Sequence, residues 1–220
     1  MPRTGRPRAF NRDEAVAAAM HLFWEHGFES TSLSQLRAAM GDISAASFYA
    51  AFESKEALFR EVVDQYVSSY GQVSESFRDT SIPPKVAIEQ GLRRSARMQT
   101  ESSHPLGCLL VLSAATCSPE QNHIQEMLAK ERERVRRWLE DCIERAVANG
   151  DLPDSTNIAM LVALFETFLQ GISTQARDNV PYEAIDAAIT QLMSVWDLLS
   201  AKTEDSGTIQ RARESGLCGC

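Results

Sequence analysis

The hydrophobic positions of this chain recur at helical spacing almost from end to end, and strand-like alternation is nearly absent. Ala15, Ala19, Leu22 and Phe23, widened by Val16 and Met20, form the stripe of a first helix that starts near Arg12, takes Asn11 as its cap and stops at Gly27. Thr31 or Ser32 caps a short second helix carrying Leu33, Leu36 and Met40, ended by Gly41. Ser44 caps a third, over about Ala45 to Ala51. Ser54 caps a fourth that buries Leu58, Phe59, Val62, Tyr66 and Val67 and reads as continuous to about Phe77.

Past a loop at 80–84, the pattern predicts a fifth helix from Pro84 to Gln99 and a sixth, apolar all round, from Cys108 to Thr116. Ser118-Pro119 with Gln121 opens a seventh that ends at Asn149-Gly150. An eighth spans Asn157 to Asp178, and a ninth runs from Pro181 to near Ser200. From Thr203 onward the chain is polar and aperiodic, and disorder is expected. The fold class is therefore all-α. A flexible basic arm (1–11) and a helix-turn-helix unit (12–53) precede a long connecting helix and a helical bundle (54–201), with a disordered tail (202–220).

The third helix has an unusual surface. Ala45, Ala46 and Ser47 are small, whereas Phe48 and Phe52 lie four apart and should anchor the helix from behind. A short helix with a small, polar outer face, reached through a Gly-containing turn, suits the major groove of DNA. Ser can pair with base edges there, and Ala methyls can touch thymine methyls. Tyr49 can place its hydroxyl on a phosphate. Thr31, Ser32 and Lys55 sit at helix starts, where backbone N–H groups attract phosphate.

Charge at first argues against a nucleic-acid partner, since the 220 residues sum to −8. The distribution changes the picture. Residues 1–12 hold Arg3, Arg6, Arg8 and Arg12 and no acid; residues 1–60 balance seven basic against seven acidic groups, so the whole deficit lies beyond residue 60. A cationic arm on a neutral unit, followed by an acidic one, fits a protein whose halves meet different partners. The five Cys, without a recognisable signal peptide, suggest reduced thiols in the cytoplasm. No apolar run approaches the roughly 18 residues that read as a membrane span, so no membrane partner is expected.

The stretch GFESTSLSQLRAAMGDISAASFYAAFESKEALF resembles the DNA-binding domain of TetR-family transcriptional regulators. The resemblance rests on Gly27, Phe28, Thr31, Ser32, Met40, Gly41, Ile43, Ser44, Ser47, Phe48, Tyr49, Phe52, Ser54, Lys55, Glu56 and Leu58, and it covers residues 10–60. PLGCLLV at 105–111 and LQGISTQARD at 169–178 are similar to one broad subgroup, with no ligand implied. The resemblance implies a homodimeric repressor that binds a palindromic double-stranded operator and is released by a small-molecule effector in the bundle. It implies DNA contacts from Arg6, Arg8, Thr31, Ser32, Ser44, Ala45, Ala46, Ser47, Tyr49 and Lys55, and neither catalytic residues nor a cofactor. Three departures stand out: an extra Asp42 in the turn, Arg37 where many members carry a small residue, and Ala50-Ala51 where many carry a phosphate contact. The last implies a shallower salt dependence.

Two DNA-reading helices need a dyad, hence a dimer surface. Leu161, Phe165, Phe168 and Ile172 on the eighth helix, and Ile185, Ile189, Leu192 and Trp196 on the ninth, are the candidates, although the same stripes could bury against their own chain. Met98, Leu106, Cys108, Leu112, Trp138, Phe165 and Phe168 are candidates for an effector pocket, with plain core as the alternative. Two other functions stay open: a helical protein-interaction module without DNA binding, and a metal- or thiol-sensing regulator using Cys108, Cys117, Cys218 and Cys220 with His104 and His123. No spacing among them resembles a closed zinc site. The charged run KERERVRR (130–137) reads as a solvated helix face. Deleting residues 1–8 is expected to weaken operator binding and flatten its salt dependence in mobility-shift titrations; an unchanged slope would remove the arm from the contact surface.

Overall fold

The computed structural model describes residues 11–215, with side chains through Ala201. Among these residues the fold is all-helical: α1 (Arg12–His26), α2 (Leu33–Ala39), α3 (Ala45–Phe52), α4 (Lys55–Ser68), α5 (Pro84–Thr100), α6 (Leu109–Ala115), α7 (Asn122–Ala148), α8 (Ile158–Arg177) and α9 (Tyr182–Ser215). Two 3-10 segments, Tyr70–Arg78 and Pro119–Gln121, lie between them. Side-chain caps fix most starts. Asn11 accepts from the Asp13 and Glu14 amides, Ser44 from Ser47, Ser54 from Ala57 and Asn157 from Met160. Ser32, rather than Thr31, caps α2, in a capping box with Gln35.

Two apolar clusters organise the chain. The first joins α1–α4 to α6 and the start of α7, through Phe23, Trp24, Leu36, Phe48, Phe59 and Leu109. The second joins α5, the later part of α7, α8 and α9, through Phe77, Leu92, Ile143, Leu161, Phe165 and Trp196. α4 thus packs with the helix-turn-helix unit: Leu58, Phe59, Val62, Val63 and Tyr66 are buried in the first cluster.

Four expectations need correction. The fourth helix does not run to Phe77. The Ser68 and Ser69 hydroxyls donate to the carbonyls of Asp64, Gln65 and Tyr66, competing with helix continuation, and the chain re-enters as the 3-10 segment from Tyr70. Ser118 makes no side-chain cap; its amide donates to the Glu29 carboxylate at 2.8 Å, and α7 begins only at Asn122. The ninth helix continues past Ser200 to Ser215, so most of the expected disordered tail is helical; a lone Gly207 costs about 1 kcal/mol relative to Ala and does not stop it. Finally, α8 is long and apolar enough, by length and composition, to cross a membrane, with a mean hydropathy of 1.3. In this fold Leu161, Val162, Phe165 and Ile172 of that helix belong to the second core.

One close approach is set by a missing side chain. A Cβ on Gly91 of α5 would lie 2.2 Å from Cε1 of Phe77, whose ring is buried against that helix. Gly91→Ala must displace a fully buried ring, at an expected cost of about 1–3 kcal/mol, read as a lower urea midpoint with an unchanged slope.

Candidate DNA-binding face and regulatory cavity

α2 and α3 are joined by a turn in which Gly41 (φ 87°) and Asp42 (φ 58°) both adopt the left-handed conformation. Asp tolerates it better than most residues, so the additional residue is accommodated locally. Arg37 then braces the turn, its Nε donating to the Ile43 carbonyl at 2.7 Å. On α3, Phe48 and Phe52 are buried, whereas Ala45, Ala46, Ser47 and Ala50 are exposed and Tyr49 is 51% exposed. The exposed Ser44 side chain caps the helix at Ser47 N, and its Oγ lies 2.8 Å from Ser47 Oγ. These side chains form one contiguous convex face of small residues with a single aromatic projection.

The cations around this face are mostly engaged. Arg12 pairs with Glu61 at 2.5 Å and stacks over Phe52; Arg60 pairs with Glu56 at 2.6 Å. Lys55, first residue of α4, places Nζ 4.5 Å from the centre of the Phe28 ring and donates to the Glu29 carbonyl. Partial burial lowers its pKa, with Glu29 opposing that. Ser32 is exposed. Thr31, expected at a phosphate, is instead fully buried, its hydroxyl donating to the Gly27 carbonyl at 2.7 Å, so it closes the end of α1. Arg6 and Arg8 lie outside the described residues. α3 meets α4 through Glu53 (φ 61°, ψ −50°), where Ser54 N donates to the Phe52 carbonyl at 2.6 Å in a positive-φ γ-turn.

The helix-turn-helix unit is tied to the bundle at the end of α1. Trp24, fully buried, donates from Nε1 to the Gly107 carbonyl at 3.1 Å and stacks on His104 at 4.5 Å. Tyr66 and Tyr70 present edges to the same indole, with ring centres 4.9 and 5.0 Å away. Arg177, in the last turn of α8, donates to the carbonyls of Trp24 (2.7 Å) and Glu25 (3.2 Å), a cation set on the negative end of α1. Sequence reasoning gave Arg177 no role, though it belongs to the LQGISTQARD motif.

Behind this junction, a cavity of about 70 Å³, partly open to solvent, is lined by α4, the following 3-10 segment, α5, α6, α7 and α8. Met98 and Cys108 line it, as do Tyr66, Leu110, Leu139 and Leu169. The Tyr66 hydroxyl donates to Cys108 Sγ at 3.3 Å, and burial pushes both pKa values up. Arg132, Arg136, Glu166 and Gln170 form its polar side, and none of these was legible as a wall residue. The remaining pocket candidates lie elsewhere. Leu112 packs beside Gly107, and Trp138 stacks under Arg78 and Arg134. Phe165 is buried against Trp196, Phe168 lines a groove between α8 and α9, and Leu106 does not reach the cavity.

The proposed dimer stripes also divide. Leu161, Phe165, Ile172, Ile185, Ile189 and Trp196 are buried in their own chain, because the periodic stripe marks the core-facing side. Phe168 and Leu192 are half-buried. The large apolar side chains left outward on these helices are instead Met160 (49% exposed) and Leu198 (68%). Among the described residues no group of three His, Cys, Asp or Glu is placed to hold a metal ion. His123 lies 3.2 Å from Glu56, Cys117 donates to the Ser113 carbonyl, and Cys218 and Cys220 lie outside the described residues.

Residues 15–62 match the model of bacterial regulatory proteins of the tetR family, and residues 88–192 match a tetracyclin repressor-like C-terminal domain. The transcriptional repressor ComR of Escherichia coli (strain K12) is 30% identical over 195 residues, spanning 87% of this chain and 91% of its own. The chain belongs to the TetR family. A cysteine-substituted variant of the TetR-family regulator CifR, solved with 26-base-pair operator DNA, is 37% identical with a TM-score of 0.80, covering 87% of this chain and 100% of that one. A TetR regulator from Chloroflexus aurantiacus shares the fold at a TM-score of 0.72 and 20% identity, over 83% of this chain and 92% of its own.

As a TetR-family protein the chain is a transcriptional regulator and not an enzyme. Dimerisation and ligand-triggered release are typical of the family. In this TetR-family regulator, Tyr49→Ala is expected to abolish detectable operator binding while leaving circular dichroism and dimer mass unchanged. Normal binding by that variant would show that α3 does not enter the groove.

Proposed function

We propose that this chain is a homodimeric one-component repressor that holds a palindromic operator through α3 of each copy and lets go when a small molecule occupies the cavity. The observation that carries the reading is the two-sided character of α3: Phe48 and Phe52 fully withdrawn into the core, Ala45, Ala46, Ser47 and Tyr49 turned outward. That face fits a major groove about 12 Å wide. Ser32 and Lys55 supply flanking phosphate contacts, and Arg6 and Arg8 extend them along the duplex. Operator DNA in the CifR structures and the repressor role of ComR support the same reading. Such a protein works in the cytoplasm, where its DNA is. Residues 12–53 would read DNA and 54–201 would dimerise and bind effector, with the outward faces of α8 and α9 joining the copies and setting half-sites about 34–36 Å apart.

Release follows from the cavity wall. Tyr66 belongs at once to α4, to the first core and to the cavity. An effector that fits the cavity better when α4 is displaced pulls the two α3 helices out of register with successive grooves. An effector equally at home in both states would shift nothing.

A second reading concerns the trigger alone. Cys108 Sγ stands in the cavity wall, so the thiol is placed to report on whatever enters, although burial holds it in the less reactive protonated form. Cys108→Ser would abolish the response to thiol-directed reagents and spare the response to other ligands.

The deciding experiment is a mobility shift with the promoter DNA beside the protein's own gene. A sequence-selective shift at moderate salt is expected. Its absence would favour a helical interaction module instead.

A further inference from the structure

The cavity has an unbalanced charge. Three ionised side chains line it: Arg132 and Arg136, one turn apart on the same face of α7, and Glu166 on α8. Glu166 is taken. Arg136 Nε lies 3.3 Å from its Oε2, and Gln170 Nε2 donates to its Oε1 at 2.9 Å. Arg132 has no carboxylate partner among the described residues; its hydrogen bond runs from Nη1 to the Leu110 carbonyl at 2.6 Å. A guanidinium carries five donors, so most of its capacity is left over. The wall thus bears one surplus positive charge in a partly open, largely apolar cavity lined by Met98, Leu110, Val111, Val135, Leu139 and Leu169. Partial burial works against the charged form of Arg132 and lowers its pKa, with Cys108 and Glu166 opposing that. A partly buried cation whose nearby carboxylate is shared with a second arginine gains from a ligand that brings its own negative charge.

We propose that the effector is a small monocarboxylic acid with an apolar body, its carboxylate paired with Arg132 and its hydrocarbon against the α5, α6 and α8 walls. This rests on the repressor reading for its consequence and deepens it by naming the ligand class. A planar carboxylate matches the fork of a guanidinium, and a single negative charge balances a single surplus positive one. The modest volume selects a compact acid. The same carboxylate competes with Glu166 for Arg136, so binding loosens the bridge between α7 and α8. Occupancy thereby changes the packing of the bundle that adjoins α4.

The test uses the full-length protein and matched pairs: hexanoate against hexanamide, and benzoate against benzamide, at constant ionic strength. Thermal melting reads binding without DNA, and mobility shift reads its effect on the operator. The acids are expected to raise the melting temperature and to weaken operator binding at concentrations at least tenfold below those of the amides. Arg132→Met, checked for folding by circular dichroism, should erase that preference, and Arg132→Lys should keep part of it. Amides equal to acids, selectivity that survives Arg132→Met, or no response to any of the four would overturn the proposal. Acid-selective melting in a protein that binds no operator would instead count against the repressor reading alone.

Discussion

The indole of Trp24 is the point on which the two halves of the molecule depend. It sits at the end of α1, fully buried, with its N–H on the Gly107 carbonyl and its ring enclosed by Tyr66, Tyr70 and His104. Each aromatic pair of this kind contributes about 0.5–1.5 kcal/mol beyond burial, and the hydrogen bond about 1 kcal/mol more. Arg177 adds a cation on the carbonyls of the same helix end. This junction adds directional contacts to the apolar core that already joins α1–α4 to α6 and the start of α7. With it, α1 is referenced to the loop before α6 and to the end of α8, while α4 runs from the DNA-facing unit directly into the cavity wall.

Charge is divided along the same line. On the DNA-facing side, Arg12, Arg37 and Arg60 are spent on Glu61, the Ile43 carbonyl and Glu56. Nonspecific attraction to phosphate therefore falls to few groups, and the fit of α3 to the groove becomes the larger share of recognition. The acidic excess lies beyond residue 60, where it repels a polyanion and favours an approach with α3 foremost. Inside the bundle the balance inverts, with a locally cationic wall in an apolar setting. Two surfaces of opposite setting thus offer positive groups, one toward solvent and one toward the cavity.

Much of this was legible in the sequence because caps and periodicity are local. Asn11, Ser32, Ser44, Ser54 and Asn157 open the helices expected of them, and the Phe48 and Phe52 spacing correctly separated the hidden side of α3 from its outer side. What failed was partly long-range and partly a choice between local partners. Thr31 looked like a phosphate contact, but a hydroxyl there can also turn back to the carbonyl four residues earlier, as it does to Gly27. The stripes of α8 and α9 showed that those faces are buried, but not against what. In KERERVRR the Arg residues repeat as on a solvated helix, and Arg134 and Arg137 do pair with nearby Glu131 and Glu133. Only the fold shows that Arg132 and Arg136, on the adjoining face, turn toward a cavity. The end of α4 was missed because Ser68 and Ser69 are tolerable helix residues until their hydroxyls find the preceding carbonyls.

The joint at Glu53 has a mechanical meaning. A tight turn of this type leaves almost no free chain between α3 and α4, and the Glu53 amide still bonds back to the Tyr49 carbonyl. The two helices therefore rotate as a bent crank rather than as beads on a string. At 1.5 Å per residue, the 14 residues of α4 make an arm of roughly 21 Å, so a pivot of about 5° at its far end swings the near end by about 2 Å. A sub-ångström rearrangement around Tyr66 is geared up on its way to the nucleic acid, and the stiffness of one strained residue sets how little of that travel is lost.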